Sequence, residues 1–214
     1  TNLTLNNTAT DAQMAMNCNI TISGTLSLTN GDLVTGSNFL HVTNTSTGAI
    51  SGGNNSSYVQ GTLRRTLAAD INADGSNYAF PIGESGGYNT LELINVLTGS
   101  TAPVIEVAVT STSAATTGDA TITSMQPRNW YVSAFSGSYT SGWVKLTEPG
   151  YLAGSAIGQS SSQSGPYTSL GNTLGGDYLQ TTSTFAGSSL PAYFAIGTPI
   201  IPTLYSYQNG NWNN

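Results

Sequence analysis

The apolar residues of this chain come in short runs that alternate with polar ones, and no stretch carries the period of an amphipathic helix. Leu3-Thr4-Leu5, Ile20-Thr21-Ile22, Leu26-Ser27-Leu28 and Leu40-His41-Val42 each send every second side chain to one face, which is strand geometry. Gly24, Gly31 and Gly36 punctuate them, and glycine accepts the positive φ of a sharp corner. Runs opening at residues 3, 20, 40 and 59 recur at close to the length of one coil of a parallel β-solenoid, whose coils bury their apolar faces on one another. A meander of antiparallel hairpins competes with this, since Asn30-Gly31 would suit its turns. The regular recurrence favours a short parallel solenoid over residues 1–66. So few coils bury little, and the solenoid is expected to lean on its neighbour.

Beyond Thr66 the pattern changes. Tyr78 to Gly83, Leu91 to Ile94, Val104 to Val109, Ala120 to Ile122, Trp130 to Val132, Trp143 to Leu146 and Tyr193 to Ile196 read as strands separated by Gly, Ser, Asn and Pro clusters. Such spacing predicts an antiparallel β-sandwich over residues 67–198. The fold class is therefore all-β, a short solenoid followed by a sandwich. The Ser/Gly-rich stretch from Gly154 to Gly176 reads as a mobile hairpin tip. Residues 199–214 open with proline-stiffened linker chemistry, and Leu204 to Trp212 then begins a new apolar pattern. That pattern reads as the start of a following module or as a tail folded back on the sandwich.

Composition narrows the function. Only 7% of the 214 residues are charged, with 4 Lys and Arg against 10 Asp and Glu. Acid–base, metal and phosphate chemistry need titratable groups brought together, and few are present. A net charge of −6 with a single adjacent basic pair, Arg64-Arg65, argues against a nucleic-acid partner. No apolar run approaches membrane-spanning length, and residue 1 opens no signal-peptide pattern, so the chain reads as a mature or excised segment. The one cysteine, Cys18, excludes an intrachain disulfide and reads as a small buried residue, far in sequence from any cation.

The segment Gly24 to Leu33, then Tyr58-Val59-Gln60-Gly61-Thr62-Leu63-Arg64-Arg65, Phe80-Pro81-Ile82-Gly83 and Gly210-Asn211-Trp212, resembles modules of Bacteroidetes secreted cell-surface proteins, including gliding-motility adhesins exported by type IX secretion. In that family a YxxGxLxR segment closes a short solenoid-like region, an FPxG segment opens a sandwich and a GNW segment starts the next unit. The resemblance implies tandem modules on the bacterial surface or in a filament, without catalytic residues.

Candidate sites are few. Asp70, Asn72 and Asp74, with the Ser76 carbonyl, follow the D-x-N-x-D-G spacing of half a calcium loop, but Pro81 stands where the closing glutamate belongs. A plain Asp74-Gly75 turn is the competing account. A Ca²⁺ there would stiffen the junction between the two regions. Tyr151, Tyr167 and Tyr178 read as loop tyrosines able to stack on sugar rings, whereas Trp130 and Trp143 read as core. His41 has no second metal-ligating partner nearby in sequence, and Glu84, Glu92, Glu106 and Glu148 read as a solvated face. A solenoid lyase would need acids and a base along one face, and only Asp11 and Asp32 precede the arginines. The expectation is a non-catalytic structural and adhesive module whose partners are neighbouring modules and surface glycans. The alternative is a carbohydrate-binding module attached to a secreted enzyme.

Overall fold

The computed structural model describes residues 1–9, 13–72, 75–85, 87–111, 118–147, 155–175 and 177–200, and among them there is no α-helix. The first coil comprises β1 (Leu3–Asn6), β2 (Gln13–Ala15) and β3 (Ile20–Ile22). The second comprises β4 (Leu26–Asn30) and the long β5 (Asp32–Val42), the third β6 (Ile50–Gly52) and β7 (Val59–Thr66). β5 covers two sides of its coil in one strand. It runs parallel to β2 at Leu33 and to β3 at Leu40, and it shifts register between Val34 and Phe39, where Gly36 sits at φ +59. Gly31, at φ +84, turns a corner between parallel sides and makes no hairpin.

The solenoid is therefore parallel, and the meander is excluded. Its repeat is longer than the spacing of the apolar runs suggested. Leu3, Leu26 and Ile50 stack on one side, and Ile20, Leu40 and Leu63 on another. The sequence spacing had paired Leu3 with Ile20, which lie on different sides of the same coil.

The rest of the chain supplies β8 (Tyr78–Phe80), β9 (Ile82–Glu84), β10 (Gly87–Tyr88), β11 (Leu91–Thr98) and β12 (Val104–Thr110). There follow β13 (Ile122–Thr123), β14 (Asn129–Ser136), β15 (Tyr139–Thr147), β16 (Ala156–Ser160) and β17 (Thr168–Ser169). Last come β18 (Thr173–Leu174), β19 (Tyr178–Gln180), β20 (Phe185–Ala186) and β21 (Ala192–Pro199). β12, β14, β21 and β16 form one antiparallel layer, and β8, β11, β15 and β19 the other.

The solenoid and the sandwich are joined through β7. One edge of β7 is parallel to β5, with Leu63 beside Leu40, and the other is antiparallel to β12, with Leu63 beside Val107. β9 adds a further parallel rung under Val59. One apolar cluster consequently extends from Leu5 through Leu63 and Trp130 to Ile196, continuous across the two regions. Alternation explains its membership: Leu91, Leu93, Val144, Leu146, Val107 and Val132 are buried and alternate with half-buried residues such as Glu92, Lys145, Glu106 and Tyr131.

Three local readings need correction. Cys18 is exposed, because it lies in the bend between β2 and β3 at the outer coil. Trp130 is buried and donates its indole N–H to the Asn89 carbonyl at 2.8 Å, but Trp143 is only half-buried. In β15 it is Val144 and Leu146 that face inward, so Trp143 has the opposite parity. The Ser/Gly-rich stretch does form a hairpin, β16 with β17, yet its first strand is part of the sandwich, and Ala156 and Ile157 are fully buried.

Candidate functional site

Two of the segments that carry the resemblance, Tyr58 to Arg65 and Phe80 to Gly83, meet at the junction. Tyr58 lays its ring where a Cβ on Gly83 would stand, and its hydroxyl donates to the Glu84 carbonyl at 2.9 Å. Gly61 holds φ +120 at the bend of β7, with no room for a Cβ beside Thr35 Oγ1. Leu63 is core. Arg65 is fully buried, although alternation places it on the inner face and arginine is rarely found there. Its Nη1 donates to the Ala79 carbonyl at 2.7 Å, and its Nη2 to the Ser46 and Thr47 carbonyls at 3.0 and 3.1 Å. The guanidinium also lies 5.1 Å from the Tyr78 ring centroid and 5.9 Å from that of Phe80. The two motifs thus form one lock. The cation ties a turn of the last coil to the first sandwich strand, and glycines give the close approaches.

Every cation in the chain has an assigned partner. Arg64 Nε meets Glu106 Oε2 at 2.6 Å, Arg128 Nε meets Glu84 Oε1 at 2.9 Å, and Lys145 Nζ meets Glu92 Oε1 at 2.8 Å. With Arg65 these account for all 4 basic residues. The three glutamates therefore face outward as one half of an ion pair each. Burial pushes the Glu84 carboxyl up, but hydrogen bonds from Ser111 and Arg128 outweigh it and hold the group below its ordinary value. A depressed carboxyl contributes stability above its unfolded value of 4.5 and loses it as pH falls through the folded value. Urea unfolding should therefore show a Glu84→Gln variant less stable than the parent at pH 7, by less than about 1 kcal/mol. That difference should shrink as pH falls below 4.5 and through the lower folded value.

The proposed calcium loop is held by the chain's own bonds. The Asp70 N–H donates to the Gly99 carbonyl at 2.9 Å, Ile71 N–H to Thr98 Oγ1 at 3.0 Å and Gly75 N–H to Asn95 Oδ1 at 2.9 Å. The Ser76 carbonyl, offered as the fourth ligand, accepts the Val96 N–H at 3.2 Å. Asp70 and Asn72 are exposed, and Asp74 lies outside the described residues. Among the described residues no three His, Cys, Asp or Glu side chains gather around one point.

The tyrosines part company. Tyr167 has no exposed surface, being packed with Ile122, Ala156 and Ala195, and its hydroxyl donates to the Gln163 carbonyl at 2.9 Å. Burial raises its pKa to about 12. A ring without an open face cannot stack on a sugar, so Tyr167 is structural. Its Ser neighbours are themselves exposed, as in a loop, and only the ring is covered, by Ile122 of β13 and Ala195 of β21. Tyr178 is half-exposed, with Lys145 Nζ at 4.4 Å from its ring centroid. Tyr151 lies outside the described residues, as do Asp11, Glu148 and the pattern from Leu204 to Trp212.

Two surface features were not legible in sequence. A cleft of about 660 Å³ beside the solenoid is lined by amides, hydroxyls and one acid, among them Asn7, Gln13, Asn30, Asp32 and Ser56. On the outer face of the large sheet, the Arg64 guanidinium is sandwiched between Phe39 at 3.7 Å and Phe135 at 3.9 Å. His41 stands beside Arg64 in register, its Nε2 3.0 Å from Thr66 Oγ1, and burial together with the Arg64 charge lowers its pKa. Phe39, Arg64 and Phe135 come from three separate strands, so only the register brings them together.

These arrangements can hold a fold rigid and present groups for contact. No family model, no curated protein and no solved structure matches this chain.

Proposed function

We propose that this chain is a non-catalytic structural and adhesive module of a large secreted surface protein or filament. The sharing of β7 carries this reading. A solenoid whose last strand is also a sandwich strand passes tension through interstrand hydrogen bonds and a common core, with no flexible linker to extend first. The outward glutamates, each held by a cation, suit a solvated wall better than proton transfer. Export by type IX secretion, a place on the cell surface and tandem neighbours are proposed on the resemblance of the YVQGTLRR and FPIG segments. Neighbouring modules and surface glycans are the partners this reading implies.

Force spectroscopy tests the reading. Pulled between residues 1 and 200, the chain should rupture once and release the lengths of solenoid and sandwich together. An earlier rupture that frees the solenoid length alone would overturn it. The second reading, a carbohydrate-binding module attached to an enzyme, is favoured by the amide- and hydroxyl-lined cleft. Glycan binding lost on Asn30→Ala or Asp32→Ala, with no single-rupture behaviour, would move the conclusion there.

A further inference from the structure

We infer that the open face of Phe135 is the stacking platform of a binding site for one pyranose unit of an uncharged glycan, with Arg64 behind the ring and Glu106 beside Arg64. This rests on the adhesive half of the function proposed above and locates where the contact is made. The first observation is backbone geometry. In β14, Ser136 pairs with Val104 and Ala134 with Ile105, so Phe135 is the extra residue of a β-bulge. A bulge gives up regular pairing and re-aims one side chain. Here it turns a phenyl ring out of the sheet and onto Arg64.

The second observation is exposure. Phe135 is 60% exposed, the most open of the large apolar side chains among the described residues. Nothing about the fold requires this, since the inward positions of β14 are filled by Trp130 and Val132. The ring is nonetheless held in place. One face rests on the guanidinium, which is itself backed by Phe39 and fixed by Glu106 at 2.6 Å. Phe39 is positioned in turn by its N–H bond to Asn19 Oδ1 at 3.1 Å. The platform is thus ordered before any ligand arrives, which lowers the cost of binding.

Size and charge choose the occupant. Phe135 presents on the order of 100 Å² of apolar surface. A stable protein interface needs about 800 Å² per partner. One ring matches the apolar C–H face of one sugar and falls far short of a second protein chain. The Arg64 charge is balanced by Glu106 and covered on both faces, and the chain carries −6 overall, so a polyanionic glycan is disfavoured. The Glu106 carboxylate can accept from a sugar hydroxyl that overhangs the ring, which fixes orientation as polar groups do around an apolar platform.

The test is an NMR titration of the intact chain with neutral β-linked gluco- and galacto-oligosaccharides, with oligogalacturonate as the charged comparison and sedimentation of the free protein alongside. Shifts at Phe135, Arg64 and Ser133 are expected with a neutral sugar, at millimolar affinity. The affinity should fall about tenfold in Phe135→Ala and return in Phe135→Trp. The inference is overturned by the absence of neutral-sugar shifts in the parent, by shifts that survive Phe135→Ala, or by stronger binding of oligogalacturonate. A parent dimer dissolved by Phe135→Ala would also overturn it and assign the ring to a protein partner. None of these outcomes bears on the single rupture under force, which tests the structural reading separately.

Discussion

Replacing Arg65 with alanine is expected to destabilise the protein by about 3–5 kcal/mol. In calorimetry that corresponds to a fall in melting temperature on the order of 10 °C for a chain of this size. The side chain is fully buried, and its terminal nitrogens are committed to the carbonyls of Ala79, Ser46 and Thr47. Truncation leaves a cavity beside Tyr78 and Phe80 and takes a donor from three carbonyls, of which Ser46 keeps the Ala49 N–H, and these losses are costly in a closed interior. Arg65→Met fills the volume without restoring the donors, so it should fall between parent and alanine. A loss under about 1 kcal/mol for alanine would mean that the junction does not depend on this cation.

The charge on Arg65 and the side chain as a whole act in opposite directions. Burial, opposed only by Tyr78, lowers the guanidinium pKa to about 10. The folded state therefore binds this proton less tightly than the unfolded state does. Keeping the charge buried costs stability at every pH below the folded value, and that cost is relieved only as pH climbs above about 10. Between pH 5 and 9 the group stays charged, so the Arg65→Ala deficit should be flat across that window. Arginine is retained here for a reason that charge does not supply: its planar fork reaches carbonyls on two different elements at once.

This lock also shows what sequence could and could not reveal. The strands from Tyr78 to Gly83, Val104 to Val109 and Tyr193 to Ile196 were legible because alternation with glycine and proline boundaries has one cheap solution. The parallel stacking was legible because the apolar runs recur. Parity was written in the alternation too: Trp130 is two residues from Val132 and shares its inward face, whereas Trp143 is next to Val144 and takes the opposite one. A one-residue offset inverts the face, so reading both tryptophans as core overlooked it. Tyr167 failed for a related cause, since a Ser/Gly neighbourhood reads as a loop whether or not other strands cover it. Arg65 meets carbonyls at the end of the solenoid, and its complete burial follows only from the packing of β8 over β7. The Phe39, Arg64 and Phe135 cluster depends on a bulge, which leaves no mark in the sequence of β14.

Gly61→Ala should cost roughly 3 kcal/mol, and a double-mutant cycle with Thr35 should divide that cost in two. Gly61 holds φ +120, where an L-residue is strained whatever space surrounds it. A Cβ at this position would also overlap Thr35 Oγ1. Thr35 is fully buried, and its hydroxyl oxygen accepts the Thr62 N–H at 3.0 Å, so it cannot swing aside without orphaning a backbone donor. Removing the hydroxyl with Thr35→Ala should itself destabilise by about 1–2 kcal/mol, through that donor. In the double variant the overlap is gone and only the backbone strain and the orphaned donor remain, so its loss should be smaller than the sum of the two single losses. Strict additivity in urea unfolding would show that strain alone excludes a side chain. A Gly61→Ala variant as stable as the parent would show that β7 can straighten without its bend. The continuous passage from coil to sandwich would then rest on the core and on Arg65, without need of a glycine corner.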